Sequence, residues 1–186
     1  MPGCWSVSLV VSWFGSDLRC GSCLVQPKVE QAQLEAKGMD WRAGGIARDA
    51  AAEVARVDGR QIYGGTPADG AVIEAIRAIR AGGQRVMFYP FILMDVPADN
   101  DLPDPYGGAE QAAYPWRGRI TAYPLGADKT ASARTQVSTF VTRSEGYRRF
   151  VLHYAALAAS AGGVNGFLLG SELKGLTTLR DEGNTF

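Results

Sequence analysis

The sequence predicts an α/β fold in which parallel strands are joined by crossover helices, the N-terminal half of a (β/α) barrel. Three observations point there. Strand-like runs at Val7–Trp13, Gln61–Gly64, Arg85–Met94 and Gly166–Leu169 are separated by helix-patterned segments. The apolar run Val86–Met94 lacks the alternation of a half-exposed strand, so it reads as buried on both faces, as parallel strands commonly are. Neither GxGxxG nor GxxxxGK[ST] occurs, which argues against a dinucleotide or P-loop fold. A barrel is the alternative parallel architecture, and four strands are half of one.

Each element has its own signals. Val7–Trp13 is β-branched and apolar, and Phe14-Gly15-Ser16-Asp17 ends it. Between Cys20 and Gly44 the breakers Pro27 and Gly38 leave room for only a short helix over 29–37. Ile46–Val57 has helix-forming composition, with Ile46, Ala50, Val54 and Val57 near helical spacing. Gln61–Gly64 reads as a short strand. Asp69–Ala81 carries the clearest stripe, Val72, Ile73, Ile76 and Ile79, with Asp69 as N-cap and Gly82-Gly83 as terminator. Further helices are expected over about 130–140 and 146–161, the second with Tyr147, Phe150, Val151, Tyr154 and Leu157 in register. Gly166–Leu169 is the last buried strand, and Gly170-Ser171-Glu172 follows it directly.

Composition narrows the function classes. The 186 residues suffice for one domain, and 46% hydrophobic with 20% charged is ordinary for a globular chain. A formal net charge of zero argues against nucleic acid or an anionic membrane as partner. The apolar run Val7–Phe14 has no basic residue before it and no small-residue cleavage pattern after it, so it does not read as a signal peptide. Cys20-Gly-Ser-Cys23 has the spacing of half a zinc site or a redox pair, but only Cys4 and the single His153 remain as further ligands. No helix start follows it, as a thioredoxin-like pair requires. Structural cysteines are the expected reading, ahead of a labile disulfide or a metal site, and no cofactor is expected. His153, inside an apolar helix pattern, reads as packed.

The segment after Met94 draws most attention. Pro97, Asp99, Asn100, Pro103, Asp104, Pro105, Gly107 and Gly108 break it into turns, and it delivers Tyr114, Trp116, Arg117 and Arg119. A long polar, aromatic loop leaving the C-terminal end of a parallel strand is where α/β proteins place ligand sites. Aromatic faces with planar guanidinium donors suit a sugar ring. A plain surface loop, with Trp116 merely covering the barrel mouth, is the competing reading.

SWFGSDLRCGSC (12–23), GRQIYGGTPAD (59–69), the stretch from Phe88 to Pro124, GYRRFVLHYA (146–155) and GFLLGSELKGL (166–176) resemble the TIM-barrel-like domain of the large tail protein of alphaproteobacterial gene transfer agents. That family is also labelled glycoside hydrolase/phage tail protein or host specificity protein. The resemblance implies a glycoside-hydrolase-like barrel at the tip of a phage-like tail, made in the cytoplasm without a signal peptide and assembled into the particle. It implies cell-envelope glycan, other tail or baseplate proteins and the remaining half of its own barrel as partners. It further implies that residues 1–6 are a non-native start and 7–186 a partial barrel domain truncated at its C-terminus.

Glycoside hydrolysis needs two carboxyl groups across the scissile bond. Glu172, directly after a strand, is similar to the general acid/base at the end of the fourth strand of barrel glycosidases. Those often carry Asn before the Glu, where this chain has Ser171, so a sugar-contacting amide is missing. Asp95, at the end of the preceding strand, is the candidate second carboxylate within the chain. The nucleophile of such barrels comes from a strand in the second half. Trp13, Asp17, Tyr89, Tyr114, Trp116, Arg117 and Arg119 are the candidate sugar-binding residues. Two classes stay open: a hydrolase of peptidoglycan or capsule, and a catalytically silent glycan-binding or structural module. A redox protein using Cys20 and Cys23 is the third and weakest reading.

Overall fold

Two ten-residue strands frame the chain, and their partners follow from where their edges still offer hydrogen bonds. The computed structural model describes residues 3–34 and 38–185. In order the elements are β1 (Ser6–Gly15), β2 (Val25–Gln26), β3 (Lys28–Val29), β4 (Arg42–Ala43), β5 (Ile46–Ala47), β6 (Ala52–Glu53), β7 (Arg56–Val57), β8 (Arg60–Gln61), α1 (Asp69–Ala81), β9 (Arg85–Met94), α2 (Ala131–Thr142), α3 (Tyr147–Ser160), β10 (Gly166–Phe167) and α4 (Lys174–Thr178). Short 3-10 turns occupy Arg48–Ala50 and Arg117–Arg119.

The main sheet runs β10-β9-β1-β2. Strands β1 and β9 are parallel over ten positions, from Ser6 opposite Arg85 to Gly15 opposite Met94. Strand β10 is parallel to β9, and β2 turns back antiparallel on the end of β1. The expected parallel neighbours Val10, Val86 and Phe88 are therefore in place. Leu168 lies one residue past β10, its N–H donating to the Phe88 carbonyl at 2.9 Å. The pairing ends there for a chemical reason: Pro90, the next residue of β9 aimed at that edge, has no N–H to donate. Among the described residues the sheet holds three parallel strands and does not close into a barrel.

Strand β9 alternates along its length. Val86, Phe88, Ile92 and Met94 are fully buried, whereas Met87, Tyr89, Phe91 and Leu93 are half-buried. Helices α1 and α3 cover the first face, with Phe88 edge-on to Tyr154 and Val72 and Ile76 in the same core. Burial on both faces, expected from the sequence, is thus corrected. The second face is where the long loop and the Ser171 segment gather, and they cover it only in part. Val10 of β1 remains 49% exposed.

Five local expectations also fail. Ile46–Val57 is not helical but breaks into β5, a 3-10 turn, β6 and the start of a hairpin, β7 with β8. Alanine-rich propensity loses here to tertiary pairing: Val54 is the one member of the supposed stripe that is buried, and its N–H donates to the Val29 carbonyl at 2.9 Å. Gln61–Gly64 contributes only Gln61 to a strand, the antiparallel β8, so it does not join the parallel sheet. The short helix placed over 29–37 begins instead with strand residue Val29, and Glu35, Ala36 and Lys37 lie outside the described residues. The N-cap of α1 is Ala68 rather than Asp69. Asp69 turns to tertiary partners, accepting from the Gly44 N–H at 3.2 Å and facing His153 Nε2 at 2.9 Å. Leu169, expected within a buried strand, is 67% exposed because β10 has already ended.

Cys20 and Cys23 are buried free thiols in the main core. Burial pushes their pKa up to about 12 and about 11, which makes thiolate, the reactive form, scarce.

Candidate functional site

Parallel strands present their C-terminal ends to one rim. Strand β9 leaves it into the loop that reaches Arg117–Arg119, and β10 leaves it into Gly170-Ser171-Glu172. Because β9 side chains alternate, Tyr89 and Phe91 share a face, and Arg117 is laid across both. Its guanidinium carbon sits 4.7 Å from the Phe91 ring centroid. Its Nη2 donates to the Tyr89 hydroxyl at 3.1 Å and the Ser171 hydroxyl at 3.3 Å, and its Nε donates to the Ser171 carbonyl at 3.2 Å. The Tyr89 and Ser171 hydroxyls bond to each other directly.

Glu172 completes the cluster. Its Oε2 lies 2.9 Å from Arg117 Nη2 and accepts the Trp116 indole N–H at 2.8 Å. Its side chain is 51% exposed, so this pair is screened by water and holds geometry more than stability. Oε1 has no partner among the described residues. The backbone of Glu172 is left-handed, φ 58°, a conformation costing a side-chain-bearing residue about 1 kcal/mol or more. Trp116 is held from below by Gly118, where a Cβ would lie 2.5 Å from the indole six-membered ring.

The other candidates sit elsewhere. Asp95 is buried, with Lys28 Nζ at 2.6 Å and the Ala55 N–H at 3.2 Å from both carboxylate oxygens. It shares no partner with Glu172. Asp17 is also buried and saturated, bonded to Arg19 Nη2 at 2.6 Å and Gln111 Nε2 at 2.7 Å, and its hydrogen bonds raise the Arg19 pKa. Gln111 in turn pins the long loop, donating also to the Pro103 carbonyl. Trp13 is 0% exposed and packs on Phe150, His153 and Tyr154, with Arg149 over its ring. It therefore offers no face to a ligand. Tyr114 stands edge-on to Tyr63, and its N–H donates to the Val96 carbonyl at 2.7 Å, so it packs at the end of β9 without a contact to Glu172. Arg119 stacks over Tyr106, 4.4 Å from its ring centroid.

Of the residues singled out from sequence, the fold thus brings together Tyr89, Trp116, Arg117 and Glu172. Phe91 and Tyr106 were missed. Period-two alternation from Tyr89 would have found Phe91, whereas Tyr106 carried no signal separable from its turn. Among the described residues no three of His, Cys, Asp and Glu form a metal-binding group, and no helix is long and apolar enough to cross a membrane.

Residues 145–186 match the family model described as GTA TIM-barrel-like domain. The match takes in α3, β10, Ser171, Glu172 and α4, and stops short of the loop bearing Trp116 and Arg117. No curated protein matches the chain.

Proposed function

We propose that this chain serves in the tail of a gene-transfer-agent or phage-like particle, where its strand-end rim binds cell-envelope glycan, either peptidoglycan or capsule. The observation that carries the reading is the joined cluster Tyr89, Trp116, Arg117 and Glu172: a half-exposed indole beside a fixed carboxylate, at the rim where parallel α/β proteins engage ligands. The C-terminal family match supports the particle setting. Three parallel strands backed by helices suit the N-terminal part of a (β/α) barrel, with the rest of the barrel and neighbouring tail or baseplate proteins as partners.

Binding is the reading this cluster supports by itself, because hydrolysis needs two carboxyl groups on the bond and the cluster supplies one, the nucleophile of such barrels coming from a strand of the second half. Asp95, the sequence candidate for the second, is committed to Lys28. Hydrolysis stands as the second reading for a specific reason: Glu172 Oε1 has no partner among the described residues, which leaves it available for proton transfer. Peptidoglycan and capsule turnover by wild type and Glu172→Gln separates the two. Binding by both forms with turnover by neither supports the binding module. Turnover lost only in Glu172→Gln supports the hydrolase. Failure of wild type and Trp116→Ala to differ in glycan retention would refute the site.

A further inference from the structure

A second cleft, of about 340 Å³, includes Trp116 but not Glu172 in its lining. Tyr106, Trp116, Gly118, Arg119, Lys174 and Gly175 line it. Both rings are substantially exposed, Trp116 at 48%, unlike most aromatic residues of this chain. The glycines are what allow the cleft. A Cβ on Gly118 would collide with the indole, and one on Gly175 would press on the Gly118 carbonyl oxygen at 3.0 Å, forcing α4 off the Arg117–Arg119 turn.

Charge gives the cleft its character. Neither Arg119 nor Lys174 has an acidic partner among the described residues. The nearby carboxylates are already engaged. Glu172 is paired with Arg117, and Asp104 accepts the N–H groups of Tyr106 at 3.0 Å and Gly108 at 3.2 Å within its own loop. Arg119 lies over one face of Tyr106, so two cations without an acidic partner line a cleft whose open aromatic surface is chiefly Trp116. Stacked rings alone would take a neutral sugar, and cations alone would take any anion. Together they match a pyranose ring bearing a carboxylate.

We propose that this cleft is a subsite for an acidic sugar, a hexose carrying a carboxylate as in uronic or muramic acid, stacked on Trp116 with its carboxylate held by Arg119 and Lys174. The inference rests on the glycan reading of the rim but not on turnover by Glu172. It is tested by calorimetric titration of the chain with three probes: oligogalacturonate, a muramic-acid-containing glycan fragment, and neutral chitohexaose. At least one carboxylated probe should bind about tenfold or more tightly than chitohexaose, with an affinity that falls as salt rises. Arg119→Gln/Lys174→Gln should bring the carboxylated probes to within about twofold of chitohexaose, measured on the same variant. Lys174→Gln alone, on an exposed side chain, should lose part of it and controls for folding. A preference for the muramic fragment assigns the subsite to peptidoglycan, and one for galacturonate assigns it to acidic capsule. Equal affinity for charged and neutral probes, no binding of any probe, or an unaltered preference in the double variant would overturn the proposal. Loss of the preference without turnover in any form would sink only the hydrolase reading, whereas glycan binding that ignores Arg119 and Lys174 would sink only this one.

Discussion

Removing Asp95 separates a structural carboxylate from a catalytic one. Asp95 and Lys28 form a buried ion pair at 2.6 Å, and both carboxylate oxygens also receive the Ala55 N–H. Asp95→Ala leaves a largely buried ammonium without its counter-charge and the Ala55 N–H without an acceptor. Deleting one partner of a buried pair costs about 3–5 kcal/mol, and the orphaned N–H lies within the same loss, so about 4 kcal/mol is expected. For a chain of this size that lowers Tm by about 8–16 °C. Asp95→Leu/Lys28→Met removes both charges and should recover most of the loss, since apolar replacement of a whole buried pair is often near neutral. Urea unfolding followed by circular dichroism measures wild type and both variants. The reasoning fails if Asp95→Ala unfolds within about 0.5 kcal/mol of wild type, the ordinary range of a surface substitution. Should that variant also lose glycan turnover, Asp95 would return as a catalytic candidate.

Three further outcomes follow from the same contacts. Trp13→Ala should destabilise the chain by about 3–5 kcal/mol, read as a lowered urea midpoint, because a fully buried indole leaves a cavity. Gly118→Ala should shift Trp116 fluorescence and weaken glycan retention while leaving the fold intact by circular dichroism, since the new Cβ displaces the ring from Glu172. Cys20 and Cys23 have folded pKa values raised to about 12 and about 11 by burial, above the ordinary 9.0. The protonated thiol is thus the form the core accepts. Its stabilising contribution is complete below about pH 9 and is lost as pH climbs towards the folded values. Urea midpoints at pH 8 and pH 10.5 should differ less in Cys20→Ala/Cys23→Ala than in wild type, and a thiol reagent at pH 8 should reach Cys4 well before either.

What the sequence determined by itself are the elements whose signal is local and strong. The nine apolar and aromatic residues Val86–Met94, stopped by Asp95, carry a strand signal in themselves, and so the boundaries Arg85–Met94 were legible. The stripe Val72, Ile73, Ile76 and Ile79 likewise announces α1, because 3.6-residue periodicity needs no distant partner. Where the competing energies come from residues far along the chain, the sequence read alone misleads. The alanine-rich 46–57 segment has helix propensity worth tenths of a kcal/mol per residue, less than it gains by pairing Val54 with Val29 and Ala55 with Asp95. The site divides in the same way. Strand-end position put forward Glu172 first, then Asp95 and Asp17, and only the fold decided that Lys28 claims Asp95 and Arg19 with Gln111 claims Asp17. Glu172 is left beside Trp116 and Arg117, 55 and more residues away in sequence, with one oxygen unclaimed. A carboxylate's role depends on which donors surround it, and those donors arrive by tertiary contact rather than by any spacing a sequence can display.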